Sequence, residues 1–270
     1  MALLSDTQNP GEYLMANPTI DPKQRSRGIY LLPNLFTTSA LLAGFYSIVL
    51  AYNADFQSAG IAIIVAMVLD GFDGRVARMT NTTSAFGAEY DSMADMISFG
   101  VAPAFLMYSW SLSSLTEAHY GQLSWVIAFV YTACCALRLA RFNVAVGTAD
   151  KRFFQGLACP AAAAILASFV WVMTGLGIQG ADLVLLCAFM TLASGIAMVS
   201  TFTYYSFKDL GSNRKVPFAM FLALMLLFVV TAVDPPKMIL IASVIYGLSG
   251  PAYFLFRLNR KRQRSARSDD

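Results

Sequence analysis

Val68-Leu69-Asp70-Gly71-Phe72-Asp73-Gly74-Arg75-Val76-Ala77-Arg78, then eight residues, then Gly87-Ala88-Glu89-Tyr90-Asp91-Ser92-Met93-Ala94-Asp95, is the stretch on which the reading of this chain turns. Long apolar runs flank it on both sides. The whole chain of 270 residues is 57% hydrophobic and 13% charged, with mean hydropathy +0.58. Soluble domains run at roughly 45–50% apolar and about 25% charged, so the chain reads as an integral membrane protein of one domain. A single histidine, His119, leaves no room for chemistry that needs two imidazoles. The four cysteines, Cys134, Cys135, Cys159 and Cys187, have no CxxC spacing and read as packed, reduced thiols. A net charge of +3 does not argue for nucleic acid.

A helix needs about 20 apolar residues to cross the hydrocarbon. Eight stretches qualify, near residues 30–52, 57–78, 87–111, 124–142, 157–178, 183–204, 216–233 and 237–256. The fold class expected is an all-α polytopic bundle: a tail over 1–29, a catalytic membrane domain over 30–256 and a basic, disordered tail over 257–270. The turn Val233-Asp234-Pro235-Pro236-Lys237 makes the last two spans a hairpin. With eight spans both termini share a side, and every one of the 19 lysines and arginines except Lys237 falls on it. Basic flanks stay cytoplasmic, which puts the termini and the 79–86 turn inside, most simply in a bacterial cytoplasmic membrane.

Five acidic side chains, Asp70, Asp73, Glu89, Asp91 and Asp95, then fall within or beside spans 2 and 3. Each intramembrane charge costs about 2.5–3.5 kcal/mol at a helix centre and less near its ends, so they need partners. Asp70 and Asp73 are i, i+3 neighbours on one face. Gly87, Asp91 and Asp95 step by four along span 3, and Glu89 is off that stripe. An antiparallel hairpin through 79–86 would converge four carboxylates, which repel too strongly to stay ionised without cations. Mg²⁺, held by carboxylates and substrate phosphates, is the natural counter-ion.

The pattern Asp70-x-x-Asp73-Gly74-x-x-Ala77-Arg78, eight residues, Gly87-x-x-x-Asp91-x-x-x-Asp95 resembles the signature of the CDP-alcohol phosphotransferases at every fixed position. The resemblance implies a divalent metal, Mg²⁺ or Mn²⁺, on Asp70, Asp73, Asp91 and Asp95. It implies nucleotide contacts at Gly74, Arg78, Gly87 and Ser84, polar contacts at Asn34 and Thr37, Asp95 as general base, and a homodimer. Ser84 reads equally as the N-cap of span 3, and Asn34 and Thr37 as groups satisfying a helix start.

The segments Leu32-Pro33-Asn34-Leu35-Phe36-Thr37, Met96 to Ala104 and Ala136-Leu137-Arg138-Leu139-Ala140-Arg141-Phe142-Asn143 look like those of the membrane-integral phosphatidylserine synthases within that family. They are less like the phosphatidylglycerophosphate synthases, which tend to carry proline after the third aspartate and lysine after the fourth, where Ser92 and Met96 stand here. The resemblance thus implies CDP-diacylglycerol and L-serine as substrates. Arg138 or Arg141 is a candidate for the serine carboxylate, since a guanidinium fork matches that group; ordinary positive-inside anchoring would also place them there. Other alcohols (glycerol 3-phosphate, inositol phosphate, choline) keep the same reaction, and an ion-coupled transporter is the reading from another class. A transporter would show paired repeats and helices broken at midplane, whereas these acids cluster at one end. The basic loops and tail suit anionic membrane lipids.

The orientation has a direct check. An Asn81→Cys variant should react with an impermeant thiol reagent only after cells are opened. Labelling in intact cells would invert the topology.

Overall fold

The computed structural model describes residues 31–80, 84–116, 121–145, 153–205 and 233–266. Helix α1 (Leu31–Tyr52) carries no charge and α2 (Phe56–Thr80) is charged only in its C-terminal half, beginning at Asp70. The link between them is tight because Ala54 takes a left-handed φ of 59°. Asp55 then caps α2 by accepting from the Ser58 amide at 3.2 Å. The two helices pack along their length as a hairpin.

Four described helical segments are long and apolar enough to cross a membrane: Asn34–Tyr52, Gly121–Val144, Gly180–Val199 and Pro235–Phe254. They belong to α1, α5 (Gly121–Ala145), α7 (Val184–Val199) with its preceding 3₁₀ turn, and α8 (Pro235–Ala266). Helix α6 (Cys159–Gly175) is shorter and lies at the centre, with Ala162, Ala163, Leu166, Ala167 and Val170 all buried. It packs against α2 on one side and α8 on another. Membrane helices gain little from the hydrophobic effect against one another and associate through close van der Waals contact, which small residues permit. Gly60 shows this: a Cβ there would come within 2.8 Å of the Ala167 carbonyl of α6.

The third expected span is one rod made of three pieces. Helix α3 (Ala85–Asp95) runs into a π-helical turn (Met96–Val101) and then α4 (Ala102–Trp110). The wider turn has a cause in the sequence. Pro103 has no N–H for the carbonyl of Phe99 four residues back. The fully buried Tyr131 of α5 donates its hydroxyl to that carbonyl at 3.1 Å. Thr132 Oγ1 donates to Ala128 O of its own helix at 3.1 Å and lies 3.4 Å from Gly100 O, and Ser98 Oγ donates to Ala40 O at 3.2 Å. Single π turns inside α-helices are rare and recur at functional sites. Here one follows Asp95 directly.

Several expectations need adjusting. Seven of the eight spans correspond to described helical stretches, and 216–233 lies almost wholly outside the described residues, so the count of eight stands open. Among the described residues the regular structure is helical except for one antiparallel pair of three-residue strands, Phe153–Gln155 with Thr203–Tyr205, which ties the start of the α6 segment to the end of α7. Part of the basic tail, expected as disordered, continues α8 to Ala266. Arg, Lys and Gln are good helix formers, and cations are favoured at a helix C-terminus. Spans 2 and 3 also do not pack as a plain hairpin. Helix α2 lies against the π turn and α4, but draws away from α3.

The notch at Gly44 supports this arrangement, because a Cβ there would lie within 2.6 Å of Ser98 Cα. Gly44→Ala should therefore destabilise the protein by about 1–3 kcal/mol through overpacking, read as a lower melting temperature in detergent. Gly71→Ala, with nothing within 4 Å of its Cβ, should not.

Candidate functional site

Because α2 and α3 diverge towards their Thr80 and Ala85 ends, their facing sides line a cleft there, with α1 packed on both. Helix α2 contributes Asp70 and Asp73, α3 contributes Asp91 and Asp95, and α1 contributes Asn34, Thr37 and Thr38. One carboxylate oxygen from each of Asp70, Asp91 and Asp95 lies within 4.8 Å of the others. Asp70 faces Asp95, and Asp73 faces Asp91, at side-chain hydrogen-bonding range.

The fourth aspartate is held differently. Asp73 is 5% exposed, and its Oδ2 accepts a 2.8 Å hydrogen bond from the buried Thr37 hydroxyl. Thr37 is thus engaged with a carboxylate, a role the sequence reading missed; the only hint was a hydroxyl one helical turn beyond Asn34. The neighbouring Thr38 hydroxyl is paired with the Tyr90 hydroxyl at 2.9 Å, a second polar tie between α1 and α3.

The residues fit a divalent cation. The donors are all carboxylate oxygens, which is the chemistry Mg²⁺ and Mn²⁺ select. Asp91 Oδ1 is buried with no hydrogen-bond partner, and such an atom normally has one. Asp70, Asp91 and Asp95 could hold the ion, with Asp73 beside them.

Around this cluster the glycines behave unequally. A Cβ on Gly74 would meet nothing within 4 Å, so its backbone borders open space. One on Gly87 would lie 3.1 Å from Ser84 Oγ and 3.6 Å from Asn34 Oδ1, which brings Asn34 to the α3 N-terminus. Ser84 is the N-cap of α3: its hydroxyl accepts from the Gly87 amide at 3.0 Å. Arg78 continues α2 one turn beyond Gly74, and its side chain lies outside the described residues.

The two arginines of α5 separate. Arg141 donates to the carbonyls of Met198, Val199 and Ser200 at 3.5, 3.1 and 3.4 Å, closing the C-terminus of α7. Arg138 Nη1 reaches Cys159 Sγ at 3.5 Å, while its Nε is buried without a hydrogen-bond partner. Cys159 is paired with Cys135, Sγ to Sγ 3.1 Å, and both are free thiols close to Asp95. The sequence placed both arginines together, and the fold gives them different work.

Residues 30–192 match the family described as CDP-alcohol phosphatidyltransferase. The chain belongs to that family. It is 34% identical over 239 residues to the CDP-diacylglycerol–serine O-phosphatidyltransferase of Helicobacter pylori, covering 88% of this chain and 98% of that one. Its likeness to the enzyme of the same name from Mycobacterium leprae is 39% over 145 residues, 52% of this chain and 46% of the other. It is also 33% identical over 184 residues to the archaetidylserine synthase of Methanothermobacter thermautotrophicus, covering 67% and 72%. The family match runs from α1 into α7 and so contains the whole carboxylate cleft.

Asp91→Asn and Asp70→Asn should each abolish turnover while the protein stays folded in detergent, because each loses an anionic ligand and keeps its shape. Thr37→Val should weaken the apparent metal affinity about 10- to 100-fold, as loss of a ligand's supporting partner does elsewhere, with Thr37→Ser close to wild type. A Mg²⁺ titration of activity reads all four variants, and normal activity of both asparagine variants at low Mg²⁺ would refute the carboxylate site.

Proposed function

We propose that this membrane enzyme transfers the phosphatidyl group of CDP-diacylglycerol to the hydroxyl of L-serine, giving phosphatidylserine and CMP in phospholipid synthesis. The observation that carries the reading is the convergence of Asp70, Asp91 and Asp95 from two helices beside open backbone at Gly74, in a chain whose nearly full-length relative is a serine transferase.

The chemistry follows from the cleft. A divalent cation on Asp70, Asp73, Asp91 and Asp95 would neutralise the diphosphate and make CMP a better leaving group. Gly74 leaves room for a phosphate to approach the backbone, and the family resemblance supports Arg78, one helical turn on in α2, as the group that adds positive charge. Asn34, Ser84 and Gly87 meet at the α3 N-terminus, whose amides and partial positive charge suit an anionic nucleotide. Thr37 orients Asp73 and so serves the same end indirectly. Asp95, one turn beyond Asp91 and next to the π turn, takes the serine hydroxyl proton as the oxygen attacks phosphorus. The new bond is serine oxygen to phosphorus. The bond broken joins that phosphorus to the bridging oxygen, which leaves with CMP.

Arg138 is the better candidate for the serine carboxylate. Its guanidinium keeps an unpartnered donor next to the Cys159 and Asp95 neighbourhood, whereas the donors of Arg141 serve α7. The distribution of basic residues supports a site open to the cytoplasm of a bacterial cell, where serine and CMP are soluble. The family resemblance supports a homodimer.

Purified protein should release CMP from CDP-diacylglycerol only with a divalent cation, and with serine ahead of glycerol 3-phosphate, inositol phosphate, choline and ethanolamine. A charged hydrogen bond contributes about 1.5–3 kcal/mol, so Arg138→Ala should raise the serine KM about 10- to 150-fold. Lysine there should restore only part, because it lacks the fork. Arg141→Ala should lower the melting temperature more than it changes the serine KM. An unchanged serine dependence in Arg138→Ala would move the carboxylate clamp elsewhere, and another alcohol working best would overturn serine itself.

A further inference from the structure

Helix α5 touches the α3–π–α4 rod along one stripe. Tyr131, Cys135, Leu139 and Asn143 step by four and therefore share a face. At one level Tyr131 donates to the Phe99 carbonyl. Cys135 Sγ sits 3.2 Å from where a Cβ on Gly100 would be. At the other end Asn143 Nδ2 lies 3.1 Å and Oδ1 3.2 Å from the Ser92 hydroxyl oxygen. That hydroxyl is also 3.1 Å from the Ala88 carbonyl. One hydroxyl proton serves one acceptor well, so the self-consistent chain has Asn143 donating to Ser92 and Ser92 donating to Ala88.

Between these two levels α3 and α5 make few other contacts. The interval contains Asp95 on one side and Arg138 on the other. The lower tie is fully buried and part of the core; the upper one is part-buried and consists of a single side-chain pair. We propose that Ser92 and Asn143 form a positioning pair that fixes the separation of Arg138 from Asp95, and through it the affinity for the acceptor alcohol. Neither side chain need touch substrate. Losing either removes the side-chain tie at this end of the α3–α5 interval, so the Arg138 end of α5, which stays on α7 through Arg141, and the Asp95 carboxylate are no longer held at a fixed separation. The donor lipid, held by α1, α2 and α3, is not exposed to that movement. This rests on the serine-transferase reading above.

The test is a pair of titrations on purified full-length protein in mixed micelles, varying serine at saturating CDP-diacylglycerol and the reverse. Ser92→Ala and Asn143→Ala should each raise the serine KM about fivefold, the worth of one ordinary hydrogen bond, with the KM for CDP-diacylglycerol and the melting temperature unchanged. Ser92→Thr, which keeps the hydroxyl, should behave as wild type. The double alanine variant should be no worse than either single one, since both remove the same contact. Both KM values rising together with a lower melting temperature would make the pair merely structural and overturn the proposal. So would an unchanged serine KM, or independent additive effects. A wild type that uses another alcohol in place of serine would defeat the functional reading alone. The same titration with that alcohol then decides the clasp.

Discussion

Mutual repulsion of carboxylates near one end of an apolar bundle is the constraint on which the rest of this structure depends. Asp70, Asp91 and Asp95 present oxygens within 4.8 Å of one another. At such distances, away from bulk water, like charges interact far more strongly than on a protein surface. No described basic side chain forms an ion pair with them; among the described residues the only ion pair is Lys237 with Asp234, far along the chain. The chain instead supplies neutral donors, with Thr37 on Asp73, and leaves Asp91 Oδ1 unpartnered. An arrangement of that kind is poised for a cation and an anionic substrate rather than for its own stability. Natural proteins commonly accept such local cost at sites of function.

The scaffold is organised to tolerate it. Helix α6, rich in alanine and almost wholly buried, lets α2 and α8 approach closely, so packing away from the cleft holds the helices that carry the acids. The rod of span 3 adds a second device. Pro103 removes one backbone donor, the π turn shifts the register after Asp95, the Tyr131 hydroxyl takes up the freed Phe99 carbonyl, and Ser98 of the turn ties it to Ala40 of α1. In a medium without water every such group needs an internal partner, which is why a fully buried tyrosine stands beside the irregular turn. Asp95 is thereby anchored on one side by a stiff, satisfied segment and on the other by the lighter tie through Ser92.

Family membership and geometry bear on different parts of the functional argument. The likeness to serine transferases from distant organisms covers most of the chain and speaks to the reaction. The cleft speaks to how the residues are arranged: α2 and α3 carry the acids, α1 supports them through Thr37, and α5 brings Arg138 near Asp95. Arg138 and Arg141 illustrate why both are needed. Three residues apart on one helix, they have the same charge and the same topological excuse, and only their neighbours tell them apart.

The sequence by itself determined the membrane class, the helical spans that are described and the identity of the acidic cluster. Those depend on composition and on spacing along a helix, which are local and periodic. It also carried the cap at Ser84, a local interaction between residues three apart. What it did not contain was any contact across helices: Thr37 with Asp73, Ser92 with Asn143, Tyr131 with Phe99, Arg141 with the end of α7. Nor did it show that α2 and α3 would part rather than pair. Each of these is decided by how closely two helices can approach, which small side chains such as Gly44 and Gly60 set at one point on behalf of residues many turns away. Helical periodicity tells which face a residue occupies; only packing decides what that face meets.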